Sequence, residues 1–284
     1  MERYFKARGL PVPPDMGRPW YLDWRRLLTV VVVVAVLWVG LIVTDIDTRR
    51  ANPTYMAQII GSLLNFNWNV LLPQNEFETF WDAALGKMIE TIFLAIVATF
   101  FSLLVALPLS FLGARNLMTV HPIGAGVYAF VRVLFTILRS IDTLILAILL
   151  VVLVGGLGSA AGVFAIAIHN VGVMGKLYSE AIEGIDTGPM EAITATGANP
   201  VQVTWAAVLP QIVIPFISFT IYRLDTNVRL APIVGLVGGG GIGQMLFERI
   251  GLFRYGDVGV IILLIVITVA TMDFVSAQLR KRLV

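Results

Sequence analysis

Charged side chains interrupt a long apolar run late in this sequence. The run extends over residues 208–237 and contains, in order, Tyr222, Arg223, Asp225, Asn227 and Arg229. Ionisable groups are costly inside a bilayer, and by default they mark an ion or substrate path. A guanidinium offers parallel, charge-assisted hydrogen bonds whose geometry suits a phosphate or phosphonate group. These five residues are therefore candidates for a path that carries an anion.

The same stripe also has a purely structural interpretation, in which its charges join neighbouring helices. Asp225 and Arg229 are four residues apart and can pair on one helix face, whereas Arg223 points away from Asp225. The structural interpretation has Asp225 neutralise one arginine and Asp142 or a neighbour take the other. A helix that starts near Val208 would carry Arg223 about 22 Å and Arg229 about 32 Å along its axis, into the outer half of the membrane or near its outer face. The sequence leaves both interpretations open.

A second polar interruption lies between apolar runs, at residues 180–210. It carries four acids, which are Glu180, Glu183, Asp186 and Glu191. Its backbone and charges cannot be satisfied in lipid, so it must lie outside the membrane. Gly197 tolerates positive φ and permits a sharp bend, and the pair Asn199-Pro200 restarts a helix, since proline fits a first helical turn. We expect two short helices that project into the cytoplasm as a knob for a soluble partner, with an ordinary solvated loop as the alternative.

Glycines follow the charged stripe at Gly238, Gly239, Gly240, Gly241 and Gly243. They match G-x-G-x-x-G, but no strand precedes them and no acidic residue stands where a dinucleotide site needs one. One interpretation is a bent outer segment or gate whose backbone N–H groups face an anion. The other is close packing of backbone against a neighbouring helix. Both interpretations stay open.

The composition is that of an integral membrane protein. The hydrophobic fraction is 58%, the mean hydropathy is +0.87, and charged residues make up 13%, against about 25% in soluble domains. There is no cysteine, and the two histidines, His121 and His169, offer little for a metal site or a catalytic triad. No Gly-Lys-Ser/Thr follows a glycine run, so any ATP must bind another subunit. We expect no metal, no cofactor bound by this chain, no catalytic residue and no nucleic-acid partner.

Apolar runs predict an all-α protein with about six transmembrane helices and both termini in the cytoplasm. A basic arm at 1–26 precedes a first span at 27–44, and the positive-inside rule places this arm inside. Residues 45–85 would form an extracytoplasmic segment with an interfacial helix. The remaining spans are predicted at 87–112, 141–156, 158–178, 208–237 and 258–279, with an outer loop at 238–256.

The stretch 124–154 is too long for one straight crossing of about 20 residues. Arg132 and the sequence Arg139-Ser-Ile-Asp142 interrupt it. We expect a tilted or interfacial half at 124–138, followed by an outward span. Arg139 and Asp142 are three residues apart, which favours a structural pair.

The polar loop resembles the EAA loop of ABC-importer permeases. Glu191-Ala192, Gly197 and Leu209-Pro210 have the spacing of that motif. Two positions depart from it, since Ile193 replaces the usual alanine and Ala207 the usual isoleucine. Further segments are similar to the permease subunits of phosphonate-type importers over roughly residues 85–282. They are LRSID, HNVGVMGKLYSEAIEGIDTGPMEAITATGA, YRLDTNVR and GLVGGGGIGQ.

The resemblance implies a type I permease core at 86–282, with a cytoplasmic coupling loop at 180–205. It implies a homodimer in a bacterial inner membrane, with two copies of an ATPase subunit and an extracytoplasmic solute-binding protein as partners. The residues that it assigns to ATPase coupling are Glu191, Ala192, Thr196, Gly197, Ala198, Leu209 and Pro210. The expected cargo is a phosphonate or a related phosphorus oxyanion.

Other functions compete with this expectation. Permeases for methionine share the loop and the glycine segment, although they resemble this chain less at 222–229. A membrane-embedded enzyme would need a convergent acid, base or metal set, and the acids of the loop are spread out. A channel or secondary transporter would favour internal repeats in the spans, which this sequence does not show.

Overall fold

The structure is a computed structural model that describes residues 7–9, 24–44, 52–75, 78–119, 122–154 and 158–283. Most of the predicted basic arm, and the beginning of the predicted extracytoplasmic segment, lie outside these residues. The chain divides into two units, Met1–Gln58 and Ile59–Val284. Every candidate site lies in the second unit.

All the regular elements of the described residues are helical, which confirms the all-α prediction. In chain order they are α1 Trp24–Val43, α2 Pro53–Leu64, α3 Ala84–Leu112, α4 Pro122–Ser140, α5 Thr143–Val154, α6 Ser159–Glu183, α7 Gly188–Ala195, α8 Pro200–Val203, α9 Leu209–Val234, α10 Gly241–Gly251 and α11 Tyr255–Leu283. Single helical turns lie at Trp68–Leu71, Phe80–Asp82 and Arg115–Met118. Wider π-type turns extend α9 at both ends, at Thr204–Val208 and Gly235–Gly239.

Five helices of the described residues are long and apolar enough to cross a membrane. They are Ala84–Leu112, Pro122–Ser140, Ser159–Glu183, Pro200–Gly239 and Tyr255–Arg282. Two shorter apolar helices accompany them, at Leu27–Val43 and Thr143–Val154. The predicted apolar runs therefore all form helices, and the division of residues 122–154 is the main difference.

The stretch from α4 to α5 follows α6 in the opposite chain direction. A side chain on Gly175 of α6 would overlap the ring of Phe135 in α4. Farther along, Nδ1 of His169 lies 2.9 Å from the carbonyl oxygen of Ile141, and α5 then packs against the start of α6. The predicted tilted or interfacial half at 124–138 lies within a 19-residue helix that is long and apolar enough to cross a membrane. With only 12 residues, α5 is shorter than a crossing of about 20 residues, and it continues along α6 where α4 ends.

Small residues bring the spans of the second unit close together around α6. Ala95 and Ala98 of α3 pack with Ala165 of α6 in one buried cluster. A Cβ on Gly172 would lie 2.7 Å from the backbone nitrogen of Arg139, closer than side chains tolerate. Interfaces between membrane helices commonly use such residues, because they let backbones approach. Both α4 and α3 are thereby held against α6.

The predicted outer loop at 238–256 contains an 11-residue helix, α10. Its residues Ile242 and Met245 are buried against α3 and α11, together with Met88 and Ile261. This apolar face explains why the segment folds as a helix rather than as an open loop. The segment predicted as an outer loop is therefore helical over most of its length.

Candidate functional site

A buried polar cluster joins three helices in the interior of the second unit. Arg223 of α9 donates from Nη2 to Oδ1 of Asn170 in α6. One turn later on α9, Nδ2 of Asn227 donates to Oγ1 of Thr99 in α3, at 2.8 Å. Asn170 and Asn227 are fully buried, and Arg223 is only 8% exposed. The cluster therefore ties α3, α6 and α9 together through polar side chains.

Several atoms of this cluster lack a hydrogen-bond partner. They are Nε of Arg223, Nδ2 of Asn170 and Oδ1 of Asn227. Buried polar groups are almost always paired, because an unmade bond costs about 1–3 kcal/mol. Two of the three atoms are donors, on Arg223 and Asn170, whose side chains contact each other. The site therefore lacks hydrogen-bond acceptors next to its positive charge.

The charge of Arg223 also lacks a carboxylate partner among the described residues, since its hydrogen-bond acceptor is the neutral amide of Asn170. Arg223 is 14 positions beyond Leu209, or about 21 Å along α9, and 16 positions before Gly239. Asn170 likewise lies near the middle of α6. Arg223 therefore lies near the middle of this long helix, and its depth in the membrane stays a prediction.

The other charges of the stripe form a separate group between α9 and α11. Arg229 pairs with Asp225 at 3.1 Å and also with Asp273 of α11. The side chain of Arg229 is 50% exposed, whereas that of Asp225 is 8% exposed. Exposed Tyr222 lies under the guanidinium of Arg280, 5.9 Å from its ring centre. The predicted pair of Asp225 and Arg229 is confirmed. Arg223 has no carboxylate partner in the described residues, but its hydrogen bond to Asn170 also joins two helices, so the structural and substrate-path interpretations both stay open for it.

The structure does not form the pairs predicted for Asp142. Its Oδ1 accepts from the backbone N–H of Leu144, at the start of α5. Asp142 takes neither Arg223 nor Arg139 as an ion-pair partner. A carboxylate that satisfies the free N–H groups of a helix start is already well placed, because the helix dipole favours negative charge there.

The glycine segment packs its backbone tightly against α3 and α6. Gly238, Gly240 and Gly241 have φ of 99°, 81° and 69°, which residues with a side chain rarely adopt. The oxygen of Gly238 accepts from the N–H of Gly158, at 2.9 Å. A Cβ on Gly239 would overlap its neighbours in α9 and α6, and one on Gly243 would overlap a carbonyl of α9. This geometry favours the packing interpretation, because a Cβ on Gly239, Gly240, Gly241 or Gly243 would overlap neighbouring atoms.

The coupling segment forms the two short helices that its sequence predicts. α7 ends at Ala195, and Gly197 then turns the chain with φ of 84°. Asn199 caps α8 through reciprocal hydrogen bonds with Gln202, both 2.9 Å long. Four of the predicted coupling residues are exposed here, which are Glu191, Ala192, Thr196 and Gly197. Ala198 is half-buried, and the small side chains would let this knob approach a partner closely.

The knob is fixed to both of the helices that hold the buried cluster. α6 leads into it at Glu183, and α9 leaves it at Leu209-Pro210. Gln211 of α9 accepts from the N–H of Asp186 at 3.0 Å and so holds the start of the knob. Ala207, at one departure from the EAA pattern, is 2% exposed within the turn that precedes α9.

Glu183 joins this base of the knob to α4. Its carboxylate lies 2.6 Å from Nη2 of Arg132 and accepts from the N–H of Arg115. In addition, the side chain of Asn116 donates to the carbonyl of Ile182, at 2.8 Å. The end of α6 is thus connected to the turn that follows α3 and to the middle of α4.

Two residues of the cluster are not among the predicted site residues: Asn170, which accepts from Arg223, and Thr99, which accepts from Asn227. The sequence does contain a signal for Asn170, since it is a polar residue within an apolar stretch that forms a 25-residue helix. In the described part of the chain, no three His, Cys, Asp or Glu side chains lie close enough to hold a metal ion.

Comparison with known proteins places these features in a family. Residues 123–284 match the model of the family described as binding-protein-dependent transport system inner membrane component. The chain is 34% identical to the phosphite transport system permease protein PtxC of Stutzerimonas stutzeri, over 99% of both chains. It is 46% identical to the putative cryptic phosphonate transport system permease protein PhnE2 of Escherichia coli strain K12, over 42% of this chain and 98% of that one.

A solved structure supports the same fold. The structure titled as inward facing conformations of the MetNI methionine ABC transporter superposes with a TM-score of 0.61 and 25% identity. The match covers 70% of this chain and 95% of the other. These similar proteins are transport subunits rather than enzymes, and members of the family work with an ATPase and a solute-binding protein. This chain belongs to the family of inner membrane permease components of binding-protein-dependent ABC importers, with the type I permease fold.

Proposed function

We propose that this chain is the permease through which an ATP-driven importer moves a phosphorus oxyanion into the cell. Two similar proteins carry names that refer to phosphite and phosphonate transport. Both ions present several acceptor oxygens on one tetrahedral phosphorus. The chemistry that such an ion needs along its route is a positive charge with free donors.

The observation that carries this proposal is the buried guanidinium of Arg223, in the middle part of the long helix, which has no carboxylate partner among the described residues. A charged side chain at the bilayer centre costs about 2.5–3.5 kcal/mol on insertion scales, and such groups usually pair or line a substrate path. Arg223 has only the amide of Asn170, and both side chains keep an unpartnered donor. An oxyanion would supply the missing acceptors and the missing charge. A zwitterion such as methionine would also need a carboxylate beside its ammonium group, and Arg223 has none within ion-pair distance in the described residues.

The knob would transmit the work of the ATPase to this cluster. It links α6, which carries Asn170, directly to α9, which carries Arg223. A push on the exposed face around Glu191 and Gly197 would therefore shift one side of the cluster relative to the other. Alternating access needs two states of this kind, with the ATPase favouring one of them in each step of its cycle.

The full assembly would contain two copies of this chain, two copies of the ATPase subunit and one extracytoplasmic binding protein. Both termini would lie in the cytoplasm, since basic residues cluster in the arm at 1–26 and at Arg280-Lys281-Arg282. The chain itself would bind no cofactor. ATP hydrolysis would take place on the partner subunits.

Reconstitution of the complete importer in liposomes tests this function. We expect uptake of labelled phosphite or methylphosphonate that requires ATP enclosed in the liposomes, on the ATPase side, and the binding protein in the outer solution. Inorganic phosphate and methionine serve as competitors in the same assay. ATP-dependent uptake of methionine, with no uptake of any phosphorus oxyanion, would contradict the proposal.

A further inference from the structure

A polar crevice opens between α4 and α6, on a face of α6 next to the one that carries Asn170. Its volume is about 270 Å³, and its lining residues are Arg139, His169, Val173, Lys176, Leu177 and Glu180. Since a water molecule occupies about 30 Å³ in the liquid, the crevice has room for a tetrahedral oxyanion with several waters.

Positive charge predominates in this crevice. Arg139 is exposed, and its predicted partner Asp142 is occupied by the N–H of Leu144 instead. Lys176 lies 3.5 Å from one oxygen of Glu180. That carboxylate is shared, because the guanidinium of Arg132 lies 3.8 Å from the same oxygen. The crevice lining thus contains two cations, Arg139 and Lys176, and one carboxylate, Glu180, which also contacts Arg132.

The charged groups follow one another along the axes of α4 and α6. Glu180 lies opposite Arg132, which is near the middle of α4. Arg139 is seven residues farther along α4, or about 10 Å, and His169 is about 16 Å from Glu180 along α6. Both helices are long and apolar enough to cross a membrane, where cations are costly against lipid, so we take the crevice to face water or protein. Val173 and Leu177 form its apolar wall, which strengthens electrostatic attraction within it.

We propose that this crevice is a second anion site, on the cytoplasmic half of the transport route, where Arg139 and Lys176 hold the phosphorus oxyanion before release. Glu180 is the internal anion that competes for Lys176 and displaces the cargo towards the cytoplasm. It lies three residues before the end of α6, next to the knob. The movement that the ATPase imposes on the knob therefore also moves the competing carboxylate. This inference rests on the proposed function, because it takes the cargo to be an anion.

Charge-neutral variants of the reconstituted full importer test the crevice. Arg139→Gln and Lys176→Gln are compared with Arg282→Gln and Lys281→Gln, which alter exposed residues at the end of α11. We expect ATP-driven uptake of labelled phosphite to fall roughly tenfold to a hundredfold in each crevice variant, as the loss of a hydrogen bond to a charged group predicts. Arg139→Lys should restore much of the rate. Stimulation of ATP hydrolysis by the loaded binding protein should remain in all the variants, which shows that folding and assembly are intact.

The possible outcomes separate the two proposals. A wild-type importer that takes up no phosphorus oxyanion overturns the proposed function. A wild-type uptake rate in both glutamine variants overturns the crevice site alone. Loss of uptake that Arg139→Lys fails to restore, together with loss of stimulated ATP hydrolysis, assigns the two cations to assembly and also overturns the site.

Discussion

Replacing Gly197 with valine should uncouple ATP hydrolysis from transport without removing the subunit from the membrane. Gly197 has φ of 84°, in the left-handed region. A residue with a side chain pays about 1–2 kcal/mol there, and a β-branched residue lies at the upper end. That cost reduces the population of the native turn about 5–30-fold.

The effect of Gly197→Val should come from backbone conformation alone. A Cβ at this position meets no atom within 4 Å, so overlap within the subunit is excluded as a cause. The segment is exposed, and its turn can change shape while the spans stay folded. Asparagine tolerates the left-handed conformation, so Gly197→Asn should restore most of the coupling. Gly126→Val is the matched control, because Gly126 is exposed in α4, has open space around it and has no positive φ.

The assay measures phosphite taken up per ATP hydrolysed by the reconstituted importer, with copurification of the ATPase as the check on assembly. We expect this ratio to fall in Gly197→Val, to recover in Gly197→Asn and to stay normal in Gly126→Val. Normal coupling in Gly197→Val, or an equal loss in Gly126→Val, would refute the reasoning.

Two further predictions concern stability, measured by thermal unfolding of the purified chain in detergent. Thr99→Val removes the hydrogen-bond partner that the Asn227 side chain has among the described residues, so the free energy of unfolding should fall by about 1–3 kcal/mol. Thr271→Val, at an exposed position, should change the free energy of unfolding little. Equal melting temperatures of Thr99→Val and the wild type would show that the cluster does not hold the helices. Gly243→Ala places a methyl group onto a carbonyl of α9 and should cost about 1–3 kcal/mol or more, whereas Gly251→Ala, with nothing within 4 Å, should be neutral. Unchanged stability in Gly243→Ala would contradict the close packing of the glycine segment.

Local patterns predicted the helices and the knob because both depend on neighbouring residues. Apolar runs of spanning length fix the helices, and Gly197 with Asn199-Pro200 fixes the turn between α7 and α8. α10 was missed because its apolar face is short and follows a run of glycines, which locally favours a loop. The helix forms because Ile242 and Met245 find a buried partner surface on α3.

The candidate site was predictable only in part, since its partners are far apart in sequence. The spacing of Asp225 and Arg229 revealed their pair, because both lie on one helix. The contact of Arg223 with Asn170 depends on how α9 packs against α6, which no local pattern contains.

We propose that the buried positive charge of Arg223 makes this permease suitable for anions, and its removal is the most direct test. The measurement is ATP-dependent uptake of labelled phosphite by the reconstituted importer that carries Arg223→Gln, with Arg223→Lys beside it. We predict a loss of roughly tenfold or more in Arg223→Gln, since hydrogen bonds to charged groups contribute about 1.5–3 kcal/mol, and a partial loss in Arg223→Lys, which keeps the charge without the fork. A wild-type uptake rate in Arg223→Gln, with the ATPase still copurifying, would contradict this account.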